Sequence, residues 1–412
     1  MRIRIEVLLL MFACGFEYVS CHETIVGRNF AFAEKQLRFG LTEVEAARRV
    51  KKNCKSTQSD TLKMVNPRSL NPDRTLHLVA SKDWTSGFFP GELWYMYEYT
   101  GDKFWKKKAD ESTKLIKQEQ WNGKTHDMGF KMYCSYGNGF RLTQNQQYKK
   151  ILIQSAKTLS SRYNKKVGCL RSWDHSTNNW EYPVIIDNML NLEILFWATS
   201  VTGDSSYYKI AVNHAKTTAK NHFRNDYSSF HVVDYDTITG NVIKKTTHQG
   251  FSDGSAWARG QAWGLYGFTM CYRETRNPEF LEQAKHIANY IFTQSNLPKD
   301  LIPYWDFNAP NIPNEPRDVS AATVIASALY ELSTFDRENS TVYINRANAI
   351  IENLTTSYRS EPRQNKGFLL LHSTGSKPAN VEVDVPLVYA DYYFLEALLR
   401  KNKLGKAAEN IE

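Results

Sequence analysis

The sequence has no Gly-rich loop of the kind that cradles phosphates, no nucleophile elbow and no Cys/His cluster at metal-ligand spacing. Phosphate-cradling, serine-esterase and zinc chemistries thus have no motif to stand on, and neither a metal nor a cofactor is expected. Cysteine is sparse. Beyond Cys21 there are only Cys54, Cys134, Cys169 and Cys271, at wide and irregular spacings. That excludes a dense disulfide framework and leaves both one or two disulfides and buried free thiols open. No run beyond the N-terminal segment reaches the ~18 consecutive apolar residues of a membrane-spanning helix. RRM, zinc-finger and helix-turn-helix signatures are missing too, so nucleic acid is not expected as a partner.

What is present points elsewhere. Lys and Arg number 52 against 43 Asp and Glu, a net charge of +9, and that balance favours anionic partners. Aromatic residues make up 13% of the chain, with Trp mostly among polar neighbours. Such placement suits stacking on sugar rings, although large helical cores also use aromatics. An acidic saccharide fits both features. Arg2 and Arg4 precede a short apolar run at 7–16, which reads as an export signal over residues 1–21. Tyr18-Val19-Ser20-Cys21 is either a lipoprotein cleavage site with Cys21 lipidated or a site of ordinary cleavage. The expected location is secreted or periplasmic, with membrane contact only through a lipid at Cys21. Residues 22–412 read as one domain.

That domain opens with a helical pattern at 29–52, where Ala31, Ala33, Leu37 and Leu41 alternate with charged positions. The polar stretch 53–60, followed by Pro67 and Pro72, predicts a loop or arm. A phrase then recurs: a helix end, a short polar turn, an aromatic and a small residue. It stands at Tyr99-Thr100-Gly101-Asp102 with Phe104 and Ala109, and at Leu142-Thr143-Gln144-Asn145 with Tyr148 and Ala156. Further copies are Val201-Thr202-Gly203-Asp204 with Tyr207 and Ala211, and Thr275-Arg276-Asn277-Pro278 with Phe280 and Ala284. The last is Phe335-Asp336-Arg337 with Tyr343 and Ala347. Gly or Asn after a helix marks its end, and Asp or Pro before the next marks a start. Five turns, roughly 45–70 residues apart, describe helical hairpins; with the N-terminal helix they make about six pairs. The fold expected is all-α, an (α/α)6 barrel. The long loops 121–141, 165–185, 225–258 and 300–318, rich in Trp, His, Asp and Gly, form its mouth. Strand is limited to short pieces such as 230–233 and 367–370.

The stretch 248–267 places Trp257, Arg259, Gln261 and Trp263 among glycines and serines. It predicts a binding floor that opens a helix capped by Ser252 or Asp253, with an Arg fork for a carboxylate. Two acids stand out elsewhere. Asp127, in Lys124-Thr125-His126-Asp127-Met128-Gly129-Phe130, closes a polar loop, and taken alone also suits a turn. Asp187, in Ile186-Asp187-Asn188-Met189-Leu190-Asn191-Leu192, opens an apolar helix, and taken alone also suits an N-cap. Burial raises a carboxyl pKa and a helix N-terminus lowers it, so an acid between the two influences can hold and release a proton. His231 by itself reads as a packed or surface residue. Two carboxyls with aromatics and Arg point to acid/base chemistry on a glycan.

Asp83-Trp84-Thr85-Ser86-Gly87-Phe88-Phe89-Pro90-Gly91, the two acidic motifs and the 248–263 stretch keep their order and spacing in a pattern that resembles glycoside hydrolase family 88, the unsaturated glucuronyl hydrolases. Asp391-Tyr392-Tyr393-Phe394-Leu395-Glu396-Ala397-Leu398 resembles the family's end. The resemblance implies an (α/α)6 barrel acting on oligosaccharides made by polysaccharide lyases, sulfated or not. The enzyme would remove the 4,5-unsaturated uronic acid at the non-reducing end by hydrating its C4=C5 bond. It implies Asp187 as general acid/base and Asp127 as the second essential acid. Trp84, His126, Trp173, His231, Gln249, Trp257, Arg259 and Trp263 would bind substrate, with Arg259 and the tryptophans lining the unsaturated uronate subsite. One departure concerns specificity. Some family members that take sulfated glycosaminoglycan disaccharides carry Ser-x-x-Ser-x-Lys near the C-terminus. Here Ser373-Thr374-Gly375-Ser376-Lys377-Pro378 has its Lys one place early; it reads as a flexible turn, with sulfate binding through its hydroxyls and Lys377 as the alternative. Two alternatives stand beside this reading: a family 105 unsaturated rhamnogalacturonyl hydrolase, and a non-catalytic acidic-glycan binding protein.

Overall fold

A computed structural model describes residues 24–53 and 64–409. The proposed export signal, Cys21, Cys54 and the polar stretch 54–60 lie outside the described residues. The described helices are α1 (Ile25–Asn53), α2 (Phe88–Thr100), α3 (Lys103–Lys114), α4 (Asn138–Thr143), α5 (Gln146–Ser160) and α6 (Glu193–Thr202). They continue with α7 (Ser205–Asn221), α8 (Ala258–Thr275), α9 (Pro278–Thr293), α10 (Val319–Leu332), α11 (Ser340–Ser357) and α12 (Val388–Glu409).

Even-numbered helices form the inner ring. α12 packs on α2 and α10, and α10 on α8; the 3-10 helix Ile186–Asn191 ahead of α6 and the π-helix Gly129–Gly137 ahead of α4 complete the circle. The inner helices α8 and α10 are buried on nearly all sides, as a ring enclosed by a second ring requires. In α8 every residue from Ala258 to Cys271 is buried. Outer helices carry one apolar stripe, as Phe280, Ala284, Ile287, Ala288 and Ile291 do in α9. All five hairpin turns expected from the sequence are present. In the first, Gly101 takes φ 69°, a left-handed conformation that costs glycine little, and Asp102 caps α3 through its bond from the Phe104 amide. Gly203 and Asp204 repeat the device before α7.

Strands are few, but their positions depart from expectation. β1 (Met64–Leu70) pairs with β2 (Leu76–Ala80), so Pro67 sits in a strand, beside a register shift, where the sequence predicts a loop. In a two-stranded ribbon a missing N–H can face outward. β3 (Tyr163–Asn164) pairs with β4 (Cys169–Leu170); β5 (Pro183–Ile185), β6 (Val232–Tyr235) and β7 (Val242–Thr246) form one sheet; β8 (Ser373–Ser376) pairs with β9 (Val381–Val385). The flexible turn expected at 373–378 is therefore an ordered hairpin, with Ser373 and Thr374 buried. The strand expected at 367–370 reduces to a single bridge between Leu370 and Arg359. Cys134, Cys169 and Cys271 are buried free thiols. Among the described residues no helix is long and apolar enough to cross a membrane.

Glu92 of α2 and Asp391 of α12 share the buried seam between α1 and the ring. Asp391 accepts the Leu369 and Leu370 amides at 2.8 and 2.9 Å, tying the 367–371 segment to α12. Burial pushes Asp391 up to about 8 and pushes Glu92 up as well, with Asp391's charge adding to the latter. Both folded values lie above those of an unfolded carboxyl. The unfolded chain therefore releases these protons at lower pH, and stability is lost as pH rises from the ordinary carboxyl range through about 8. Thermal melts should show Tm falling by a few degrees over that window, and Glu92→Gln should flatten the slope. An equal slope in the variant would count against the pair.

Candidate active site

The inner helices all direct their N-terminal ends at one mouth, where their positive dipole ends favour negative charge. Trp84 precedes α2, Asp127 the π-helix, Asp187 lies ahead of α6, Arg259 begins α8, Asp318 caps α10 and Tyr389 begins α12. Between them lies a cavity of about 310 Å³.

The two acids are held in relation to each other by backbone. Thr125 bridges Trp173, the His126 amide bonds Ser172 O, and the Ser172 hydroxyl receives the Ile185 amide at 3.0 Å. Asn191 closes the link from the other side, its Oδ1 accepting the Gly129 and Phe130 amides at 2.8 and 3.2 Å. The approach is close enough to require glycine: a Cβ on Gly129 would lie 2.6 Å from Asn191 Cα. Asp127 accepts the Thr125 hydroxyl and lies 3.2 Å from His126 Nε2. Burial pushes His126 down against the pull of Asp127, so it is neutral at pH 7.

Asp187 sits at the head of its 3-10 helix, 8% exposed, and is not an N-cap: Ile185 holds that position. Burial pushes its carboxyl up to about 7; Arg259's charge pulls the other way and Asp127's charge adds to the rise. Its Oδ2 has no hydrogen-bond partner in the protein. Neither has Nε2 of His231, 3.6 Å away; the Trp263 indole N–H is directed at the same carboxyl and favours its charged form. Buried polar atoms almost always find partners, and an unpartnered carboxyl oxygen on a residue that lines a cavity marks a place a ligand can complete. His231 Nδ1 accepts the His248 and Gln249 amides, both at 3.1 Å, which leaves its proton on Nε2, facing Asp187.

Asp187, Asp127, Trp84, His126, Trp173, Gln249 and Arg259 line the cavity, while His231, Trp257 and Trp263 do not. The placement of these three differs from the expected one. His231 stands behind Asp187, and Trp257 packs between His231, at 4.6 Å, and the Arg259 guanidinium, at 4.5 Å. Trp263 is fully buried against Phe130 and Tyr393. The expected helix start at Ser252 or Asp253 is also displaced, to Ala258; Asp253 instead accepts the Thr247 amide. Arg259 does not present an open fork. It donates to Asp318, to Thr374 O at 2.6 Å and to Gly375 O, clamping the β8–β9 hairpin to α8 and α10.

Arg68, Glu382 and Tyr389 also line the cavity and carry no motif, while Ser376 belongs to the 373–378 stretch. Arg68 makes two parallel bonds to Glu382, at 2.8 and 2.7 Å, and a third to Asp83 at 3.0 Å. A larger cavity, about 640 Å³, opens at the opposite end of the ring, with Phe130 lining both. Its carboxylates are bound by protein cations, Glu193 by Arg273 and Glu331 by Arg273 and Arg400. It therefore offers no acid free to work. Among the described residues no three His, Cys, Asp or Glu side chains gather as a metal site.

Residues 50–359 match the model of Glycosyl Hydrolase Family 88. An unsaturated glucuronyl hydrolase of Formosa agariphila is 53% identical over 341 residues, covering 82% of this chain and 85% of its own. An unsaturated chondroitin disaccharide hydrolase of Streptococcus pyogenes is 33% identical over 346 residues, 81% and 85% of the two chains. The crystal structure of an unsaturated glucuronyl hydrolase specific for heparin superposes with a TM-score of 0.83 at 46% identity, covering 91% of this chain and 98% of that one.

Proposed function

This chain belongs to glycosyl hydrolase family 88, and from that premise we propose that Asp187 and Asp127 carry out the hydration of an unsaturated uronyl oligosaccharide at the mouth of its barrel. The activity is that of an unsaturated glucuronyl hydrolase, a glycosidase, and the similarities favour it over a family 105 enzyme or a binding protein. The observation that carries the assignment of roles is that Asp187, a buried carboxyl with an unpartnered oxygen, lines the same cavity as a second carboxylate, Asp127, at the focus of the helix N-termini; burial pushes the Asp187 carboxyl up to about 7.

The chemistry follows from the substrate. The C4=C5 bond is a vinyl ether with the ring oxygen. Its π electrons take the Asp187 proton at C4, leaving positive charge shared between C5 and the ring oxygen. Asp127, held by Thr125 and His126, supports that charge; burial, with a smaller addition from Asp127's charge, keeps Asp187 protonated near neutrality. Water then bonds to C5 and gives its proton to the Asp187 carboxylate. The resulting hemiketal opens with cleavage of C5–O5, and the hemiacetal left at C1 expels the second sugar. No nucleophile attacks the anomeric carbon, so the usual rule on carboxylate spacing does not apply. Export, which the apolar run at 7–16 supports, would place the enzyme where lyase products arise.

Water labelled with ¹⁸O distinguishes hydration from displacement. Product sampled before carbonyl exchange should carry the label at C5 of the released uronate. Label at C1 of that uronate instead means direct displacement and sinks the proposal.

A further inference from the structure

One wall of the cavity has no task in the hydration chemistry. It comprises residues 124–125, 173–175 and 248, and it sets one ammonium, Lys124, and two imidazoles around an aromatic face. Burial holds the His248 ring below its ordinary pKa, so it acts as a hydrogen-bond donor and not as a charge. Lys124 is exposed and lines the cavity, and among the described residues no carboxylate lies within ion-pair distance of it. The Thr125–Trp173 bridge places residue 174 opposite residue 124, yet Asp174 is taken by Arg162 through two bonds of 2.9 Å and approached by Arg171 at 3.5 Å. The Trp173 ring is half-buried. The His175 ring stacks on it at 5.4 Å and 9°, and the His248 ring stands 5.9 Å away. Both imidazoles line the cavity.

The other cations of the cavity are engaged. Arg68 is bound by Glu382 and Asp83, and Arg259 by Asp318 and two carbonyls. Asp127 and Asp187 lie on the reacting side. An anionic group arriving with the substrate thus meets an unspent ammonium at Lys124 and two imidazoles, set about the flat face of Trp173. A ring stacked there presents its edge substituents to those groups.

We propose that Lys124, with His175 and His248 beside Trp173, forms a subsite for a sulfate ester on the sugar that follows the unsaturated uronate. The inference rests on the activity proposed above. A sulfate ester stays ionised at every working pH, and its tetrahedral oxygens suit an ammonium, which binds as a point charge with rotatable donors and needs no planar fork. A neutral second sugar would leave the Lys124 charge unanswered. This subsite stands apart from the 373–378 hairpin, where the expected sulfate motif is altered.

The test uses the exported chain and lyase-generated unsaturated disaccharides, one unsulfated and the others singly sulfated at different positions of the second sugar. Wild type should prefer one sulfated isomer by kcat/KM. Lys124→Ala should cut that sulfated-to-unsulfated ratio about tenfold, mostly through KM. Lys124→Glu should cut it further, Lys124→Arg should restore it, and His175→Ala should lower it in the same direction. A wild type with no preference for any sulfated isomer overturns the inference. So does a ratio unmoved in Lys124→Ala and Lys124→Glu. In both cases turnover of the unsulfated disaccharide leaves the glycosidase standing, whereas folded wild type that turns over none of the substrates overturns the activity itself.

Discussion

Asp187→Asn is expected to lower kcat about a thousandfold while KM for an unsaturated disaccharide stays within a few-fold. The amide keeps the shape of the side chain but cannot give a proton to C4. The fold should survive, because an amide keeps an oxygen that can accept from the Trp263 indole and removes no ion pair that holds the barrel together. Loss of the double-bond absorbance is the readout. In wild type the working form is the protonated one, so kcat/KM should decline as pH rises through about 7. Burial is the main cause of that value and Asp127's charge a further one. Asp127→Asn should therefore move the descending limb to lower pH as well as reduce the rate. Full activity in Asp187→Asn, or a descending limb that stays in place in Asp127→Asn, would remove these residues from their roles.

Much of the barrel was legible because its turns are written locally. Gly101-Asp102 and Gly203-Asp204 each join a left-handed helix end to a side-chain cap within two residues, and such chemistry is visible in any window of sequence. Asp127 and Asp187 were legible for a related reason, since each sits in a short motif that ends one element and begins another. What the sequence hid was long-range. Arg259 reads as a free carboxylate fork because its partner Asp318 lies 59 residues away. Glu382 meets Arg68 across 314 residues with no motif around either. Trp257, at the N-cap of α8, and Trp263, inside it, were misplaced for another reason. An amphipathic helix shows which face meets solvent, but α8 is enclosed on all sides, and nothing in its periodicity separates the cavity face from the packed one. The same enclosure places His231 behind Asp187, 3.6 Å from its carboxyl, rather than on the cavity lining.

The Arg259–Asp318 pair yields the second large effect. Arg259 is 1% exposed and Asp318 is fully buried. Removing one partner of such a pair strands the other's charge and costs about 3–5 kcal/mol. Arg259→Ala should thus lower Tm clearly, and it should also raise KM, since Gly375 and Ser376 of the clamped hairpin line the cavity. Those effects alone do not separate a residue that touches substrate from one that holds the hairpin. Asp318 provides the separation. It does not line the cavity, and it bonds Arg259, the Ser320 hydroxyl and, at 3.5 Å, the Thr374 amide. If Arg259 acts through the hairpin, Asp318→Asn should raise KM in the same direction. If it acts only by reaching the substrate, Asp318→Asn should weaken the fold and leave KM where it was. A paired Arg259→Met, Asp318→Leu variant sharpens the choice. Apolar replacement of a whole buried ion pair often recovers stability, so Tm should return toward wild type. The polar bonds from Arg259 to Thr374 O and Gly375 O would remain lost, and KM should stay high. Recovery of both Tm and KM in that variant would mean that the hairpin needs no clamp and that Arg259 is only a filler of the core.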